Sequence, residues 1–119
     1  PLRDVAERPH QLSNYRGKAV MLHFWTDFCV SCRAEFPRIQ DYYEELESDQ
    51  FELIAVNIGQ PARISETFHK DFKTTFPMLV DDQGFMADLY AIKAYPTNFF
   101  IDPQGKIVRV IRGWVDKNR

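Results

Sequence analysis

The chain of 119 residues has no large excess of charge of one sign and no long apolar run, and it contains two cysteines. Fifteen Lys and Arg oppose seventeen Asp and Glu, so a basic nucleic-acid-binding face is not indicated. The longest uncharged apolar stretch, Ala19 to Trp25, is interrupted by His23 and is far shorter than the roughly 20 residues that span a bilayer. Two cysteines are also too few for a disulfide-stapled miniprotein.

The composition is instead that of a folded domain. Hydrophobic residues make up 45% of the chain and aromatic residues 14%, which is enough for one core and too much for a disordered tail. Since no repeat, low-complexity tract or linker divides the sequence, we expect one domain over residues 1–119. The start at Pro1, with no leader-like pattern after it, is typical of a processed or trimmed domain.

The hydrophobic pattern predicts alternating strands and helices. Residues 19–25 and 53–58 are apolar runs that suit strands buried on both faces. Residues 30–48 between them have helical spacing, and Pro37 should bend that helix without ending it. This order implies a parallel, right-handed crossover. Other predicted elements are a short edge strand or hairpin within residues 1–17, a helix at 64–72, a strand at 77–80, a helical turn or two at 85–90, and an antiparallel hairpin formed by 97–101 and 106–112.

Both cysteines lie in one Cys-x-x-Cys, at the point where a buried strand ends and a helix begins. Free N–H groups and the helix dipole favour an anion there, so Cys29 should titrate below the roughly 8.5 of a free thiol. Cys32 lies about one turn further on and can attack a mixed disulfide formed by Cys29. Two alternatives stay open: a structural disulfide, which stabilises little across so short a loop, and a zinc half-site completed by some of His10, His23 and His69.

The segment FWTDFCVSC at residues 24–32, with Pro37 after it, closely resembles the active-site strand and helix of the thioredoxin family. The segment AYPTNFFIDPQGK at residues 94–106 resembles that family's cis-proline loop and terminal hairpin. Glu35-Phe36-Pro37 and the segment VNIG at residues 56–59 are similar to the TlpA-like and ResA-like thiol-disulfide oxidoreductases, a redoxin or AhpC-TSA type of domain. The resemblance implies a thioredoxin-like α/β fold, with a central mixed β-sheet flanked by helices.

The resemblance also implies roles for residues around the cysteines. Pro96 is expected to follow a cis bond and, with Tyr95, to pair with an extended substrate segment. Trp25 and Phe28 are expected to form an apolar rim for a partner's cysteine loop, with ordinary core packing as the alternative. The two residues between the cysteines, Val30 and Ser31, are expected to tune the reduction potential.

Three features depart from the family pattern: His23, Gln60 and the C-terminal end. His23 stands where thioredoxins carry a buried carboxylate, and we expect a neutral, hydrogen-bonded core histidine. Gln60 stands where ResA-like proteins commonly carry an acidic residue, and it cannot take a proton. Glu35 is a candidate proton acceptor for Cys32, although a solvated or ion-paired carboxylate is the simpler expectation. Residues 114–119 supply barely one turn where the family has a C-terminal helix, so we expect that helix to be truncated or missing, with an uncovered apolar sheet face.

The sequence therefore predicts a thiol-disulfide oxidoreductase that acts on protein substrates, with no cofactor and no metal. The resemblance favours a reductase that works outside the cytoplasm of a bacterium and receives electrons from a membrane partner, while a cytoplasmic location stays possible. A thiol peroxidase of the peroxiredoxin or glutathione-peroxidase type and a non-catalytic metal-binding module or metallochaperone are the alternatives. The paired cysteines argue against the peroxidase.

Overall fold

The computed structural model shows an α/β fold in which a mixed sheet is flanked by helices, and it describes residues 2–4, 9–10, 15–46 and 50–112. In chain order the elements are β1 (Leu2–Asp4), β2 (Pro9–His10), β3 (Ala19–Trp25), α1 (Val30–Leu46), β4 (Phe51–Ile58), α2 (Ala62–Phe72), β5 (Met78–Asp81), α3 (Phe85–Leu89), β6 (Thr97–Ile101) and β7 (Ile107–Arg112). The thioredoxin-like fold predicted from the sequence is confirmed.

The described strands form one seven-stranded sheet in the order β2-β1-β5-β4-β3-β6-β7. Strands β3, β4 and β5 run parallel to one another, as the predicted crossover through α1 requires. Strands β6 and β7 form the predicted antiparallel hairpin, and β1 and β2 form the short hairpin expected near the start of the chain. The three parallel strands end on one side of the sheet, which we call the carboxyl edge.

Helix α1 continues through Pro37, as predicted, and is described as far as Leu46. The expected last residues of this helix, 47 and 48, lie outside the described residues. Helix α2 and strand β4 each begin two residues before the predicted position. Among the described residues, no helix combines the length and the apolar character that crossing a membrane would need.

One face of the sheet is covered by α1 and α2 through a cluster of aromatic side chains. Phe36 of α1 lies at the centre of this cluster and is fully buried. Its ring contacts those of Trp25 at a centroid distance of 4.8 Å and Phe68 at 5.2 Å. It also stacks on Phe72 and Phe76. Burial of these rings fixes α1, and therefore its first turn, against the sheet.

The opposite face is covered by α3 and the segment after it. Tyr90 packs on Phe24 of β3 and on Phe99 of β6, at ring-centroid distances of 5.4 Å and 4.9 Å. The Asp81 carboxylate, at the end of β5, accepts the N–H groups of Phe85 and Met86 at 3.0 Å and 2.7 Å. These hydrogen bonds satisfy free donors at the start of α3 and tie that helix to the carboxyl edge.

Strand β7 carries exposed apolar side chains at Ile107, Val108 and Val110. The sequence predicted an uncovered apolar face because of a shortened C-terminal helix. That prediction concerns residues 113–119, which lie outside the described residues.

We predict that Phe36→Ala lowers the free energy of unfolding by about 3 to 5 kcal/mol, because it leaves a cavity among the packed rings. Phe85→Ala is the matched control, since Phe85 is 64% exposed and its truncation should change stability by no more than about 0.5 kcal/mol. Urea unfolding followed by circular dichroism measures both. Equal effects of the two substitutions would contradict the central place of Phe36 in the core.

Candidate active site

The two cysteines lie at the carboxyl edge, where the chain turns from β3 into α1. After Trp25 the chain makes a short turn, in which the N–H of Cys29 donates to the carbonyl of Thr26 at 3.4 Å. The Arg33 Nε donates to the carbonyl of Asp27 at 3.0 Å and closes the turn from the helix side. Helix α1 then starts at Val30, so Cys29 occupies the position that caps it.

Cys29 and Cys32 are joined by a disulfide, with their Cα atoms 5.2 Å apart. The backbone N–H of Cys32 donates to Cys29 Sγ at 3.1 Å. This N–H belongs to the first helical turn and has no acceptor within the helix, so Cys29 Sγ satisfies it as a capping side chain does. A free N–H and the positive end of a helix dipole are groups that favour an anion at this position.

The two sulfur-bearing residues differ in exposure. Cys29 is half-buried, whereas Cys32 has no exposed surface. A partner can therefore reach Cys29 but not Cys32. This difference in exposure favours Cys29 as the residue that meets a second molecule first.

Phe28 and Trp25 lie in opposite environments. Phe28 is 75% exposed, beside Cys29. Trp25 has no exposed surface and packs on Phe36 and Phe68. The prediction that Trp25 contributes to an exposed rim is wrong, because the residue lies on the face of β3 that α1 and α2 cover. Its alternative, core packing, is what the structure shows.

Tyr95 and Pro96 lie at the same carboxyl edge. The register pairs Thr97 with Phe24, so β6 enters the sheet where β3 leaves it. The bond between Tyr95 and Pro96 is cis. Pro96 is buried and Tyr95 half-buried. Burial, and secondarily the Asp81 carboxylate, raises the pKa of the Tyr95 hydroxyl, so this group stays protonated at neutral pH.

His23 is a fully buried histidine on the same face of β3 as Trp25. Its Nδ1 lies 2.8 Å from the Asn98 Oδ1, an acceptor, so Nδ1 carries the proton. Its ring meets that of Phe36 edge to face, at a centroid distance of 5.7 Å. Burial lowers the pKa of His23 to about 4, against the smaller opposing effect of the Asn98 hydrogen bond. The expected neutral core histidine is confirmed.

Glu35 lies on α1, three residues after Cys32, and is only 1% exposed. The solvated form of the expected carboxylate is wrong, because Glu35 lies on the side of α1 that faces the sheet, while the ion-paired form stays a prediction. The two buried side chains Cys32 and Glu35 are one helical turn apart.

Gln60 and Asp27 form a hydrogen-bonded pair that the sequence did not reveal. Gln60 Nε2 donates to Asp27 Oδ1 at 2.7 Å, and Gln60 Oε1 accepts the N–H of Asp27 at 3.0 Å. Asn57, near the end of β4, donates through Nδ2 to Gln60 Oε1 and to the Trp25 carbonyl. The sequence signal that could have indicated this pair is the position of Asp27 and Gln60, each shortly after one of two neighbouring parallel strands.

Two of the histidines named for a zinc site, His23 and His69, have other side-chain partners. His23 is bonded to Asn98, and His69 Nδ1 lies 2.9 Å from Thr74 Oγ1. Within the described ranges, no three His, Cys, Asp or Glu residues are grouped as a metal would require. His10, Val30 and Ser31 have side chains outside the described part, so the expected tuning role of Val30 and Ser31 stays a prediction.

A thioredoxin-type fold with a dithiol pair capping its first long helix defines the class of thiol-disulfide exchange proteins. The model of the AhpC/TSA family matches residues 2–110. Thiol-disulfide oxidoreductase ResA of Geobacillus thermodenitrificans (strain NG80-2) is 37% identical over 98% of this chain, which spans 67% of that relative.

Two solved structures are also similar to this chain. A putative thiol:disulfide interchange protein DsbE from Chlorobium tepidum gives a TM-score of 0.88 at 27% identity, over 98% of this chain and 82% of the other. The exposed lipoprotein thioredoxin Etrx1 of Streptococcus pneumoniae strain TIGR4 gives 0.84 at 30% identity, over 98% and 90%. The chain therefore belongs to the AhpC/TSA family, and within it to the ResA-like thiol-disulfide oxidoreductases.

We predict that His23 makes the protein sensitive to acid. Because its folded pKa is about 4, the unfolded chain binds the proton first as the pH falls below the ordinary value near 6.5, which costs about 2 to 3 kcal/mol of stability by pH 4.5. His23→Asn should remove this loss, whereas His69→Asn, at an exposed position, should retain it. Urea unfolding at pH 7 and 4.5 measures the difference, and equal acid sensitivity of wild type and His23→Asn would contradict the assignment.

Proposed function

We propose that this chain reduces disulfides of protein substrates, with Cys29 as the attacking thiol and Cys32 as the resolving thiol. The observation that carries the proposal is the asymmetry of the pair. Cys29 is half-buried and its Sγ accepts an N–H of the first helical turn, while Cys32 has no exposed surface and lies one turn further on. A nucleophile that is stabilised as its anion and a protected second thiol are the two requirements of dithiol exchange.

The proposed cycle starts from the reduced protein. The Cys29 thiolate attacks one sulfur of a substrate disulfide, whose S–S bond breaks and releases one substrate thiolate. Cys32 then loses its proton and attacks Cys29 Sγ, so the mixed disulfide breaks and the second substrate thiolate leaves. The substrate gains two electrons and takes up two protons, and the protein is left with the Cys29–Cys32 disulfide.

Glu35 is the candidate acceptor for the Cys32 proton. It lies on the same helix, one turn after Cys32, and both side chains are buried. A buried thiol needs a nearby base because water cannot take its proton directly. Gln60, at the other position considered from the sequence, is an amide and cannot take this role.

The substrate contact is proposed to involve Phe28, Tyr95 and Pro96. Phe28 offers an exposed aromatic ring beside Cys29. Tyr95 and Pro96 precede β6 at the edge of the sheet where Cys29 lies, and the resemblance to thioredoxins assigns this loop to pairing with an extended peptide. An exposed apolar ring and a backbone segment on the same side of the sheet suit an unfolded or extended substrate better than a small thiol.

We propose that the protein works outside the cytoplasm of a bacterium and is re-reduced by a membrane protein. Each cycle leaves the protein oxidised, so a reductant must return two electrons to the cysteine pair. A location outside the cytoplasm is supported by the similar Streptococcus pneumoniae protein, which is described as an exposed lipoprotein.

The mechanism predicts different fates for the two cysteine variants. Cys29→Ser should abolish reduction of insulin by the protein in the presence of dithiothreitol, because no accessible thiolate remains. Reduced Cys32→Ser, mixed with insulin after dithiothreitol has been removed, should accumulate a mixed disulfide, because no second thiol is present to resolve it. Non-reducing gel electrophoresis and mass spectrometry measure the trapped species.

The wild-type protein is the control for both variants, and its reduction potential indicates the direction of electron flow. Its reduction potential, measured against a glutathione series, should lie nearer to about −270 mV than to about −120 mV if the chain is a reductase. Full turnover by Cys32→Ser would refute the two-step cycle. A potential near the oxidising end would refute the reductase assignment alone.

Phe28 should matter for protein substrates and not for small ones. We predict that Phe28→Ala raises the KM for a disulfide-containing peptide several-fold while reduction of the small disulfide 5,5′-dithiobis(2-nitrobenzoate) is unchanged, because an exposed aromatic ring supplies contact area. Val108→Ala is the matched control, since Val108 is 64% exposed. It lies on β7 beside Phe100 and Ile101 of β6, at the end of these strands that is away from the carboxyl edge. Equal effects on both substrates would contradict a contact with the peptide.

A further inference from the structure

Gln60 makes polar contacts with the active-site turn. This residue follows β4, and its carboxamide takes part in three hydrogen bonds. Two of them join it to Asp27, through the backbone N–H and through Oδ1. Asn57 supplies the third and also donates to the Trp25 carbonyl at 3.3 Å. The turn is therefore held on both sides of Thr26, by Asn57 in β4 and by Gln60 directly after that strand.

The chemistry of this contact is specific for an amide. Asp27 offers a donor, its N–H, and an acceptor, its carboxylate oxygen, to the same partner. A glutamine matches both, because its carboxamide carries one acceptor and one donor group. A glutamate in its ionised form could accept from the N–H but could not donate to Asp27. It would also bring two negative charges together.

The contact lies directly upstream of the attacking thiol. Asp27 is two residues before Cys29, and the turn between them is closed by the N–H of Cys29 on the Thr26 carbonyl. Arg33, on the first turns of α1, donates to the Asp27 carbonyl at 3.0 Å. Asp27 thus connects the end of β4, the turn and the start of α1. A displacement of Asp27 moves Cys29 relative to the N–H of Cys32 that stabilises its anion.

We propose that Gln60 is a positioning residue for thiol-disulfide exchange: its carboxamide fixes Asp27 and thereby keeps Cys29 Sγ at the free N–H of the first helical turn. This proposal rests on the proposed role of Cys29 as the attacking thiol. It gives a function to the amide at a position where ResA-like proteins commonly carry an acid.

The test measures how fast iodoacetamide alkylates Cys29 in the reduced full chain at pH 7. Gln60→Glu should lower the second-order rate constant about fivefold, because a loosened turn and an added negative charge both disfavour the thiolate. The matched control is Gln104→Glu, which adds the same charge at an exposed position in the turn before β7. It should leave the rate constant unchanged.

A double variant separates hydrogen bonding from charge. In Asp27→Asn with Gln60→Glu, the amide and the carboxylate exchange places, so Asn can donate to Glu and the net charge equals that of the wild type. We expect its alkylation rate to return to within about twofold of the wild-type rate. If the double variant is as slow as Gln60→Glu alone, the proposal is overturned.

Further outcomes are also decisive. A wild-type rate for Gln60→Glu overturns the proposal. If Gln60→Glu does not fold, Gln60→Met replaces it as a neutral variant of similar length, and an unchanged rate in that variant overturns the proposal equally. Mass spectrometry of the alkylated wild-type protein identifies the labelled cysteine. Faster labelling of Cys32 would instead refute the proposed order of the thiols, independently of Gln60.

Discussion

The first turn of a helix carries backbone N–H groups that no carbonyl of that helix can accept. In this protein one of these groups, on Cys32, is directed at the sulfur of Cys29. The proposed exchange chemistry depends on this hydrogen bond, because an N–H at the start of a helix favours a negative charge on the half-buried sulfur that accepts it. The remaining features of the site determine where this N–H points, which sulfur meets it, and which sulfur a partner can reach.

The direction of the N–H is fixed by the aromatic core beneath α1. Phe36 packs between the sheet and α2, against Trp25 and Phe68, and so sets the height and the angle at which the helix starts. The position of the sulfur is fixed from the other side, by the turn that Gln60 and Arg33 hold through Asp27. Two independent sets of contacts, one apolar and one polar, thus meet at Cys29. Both converge at one edge of the sheet because β3 and β4 are parallel.

Much of the fold could be predicted from the sequence, because it follows from local patterns. Strand β3 is a nearly continuous apolar run, and α1 has apolar residues at helical spacing. Both patterns are visible within a single element of the sequence. The cysteine pair and the predicted loop before β6 were recognisable as motifs. The environments of Trp25 and Glu35 were not predicted correctly, because their burial depends on how closely α1 and α2 cover β3. The pair Asp27 and Gln60 is separated by 33 residues, and only the folded register brings it together.

The enclosure of Cys32 has a consequence for the lifetime of a captured partner. Once a substrate is attached to Cys29 in the proposed cycle, thiols from solution compete poorly with Cys32, because its sulfur is already held near the mixed disulfide that has to be broken. Release of the substrate is then a first-order event, whose rate is independent of the thiol concentration in the surroundings. The geometry of the first turn of α1 therefore determines how long each substrate stays bound to Cys29 in the proposed cycle.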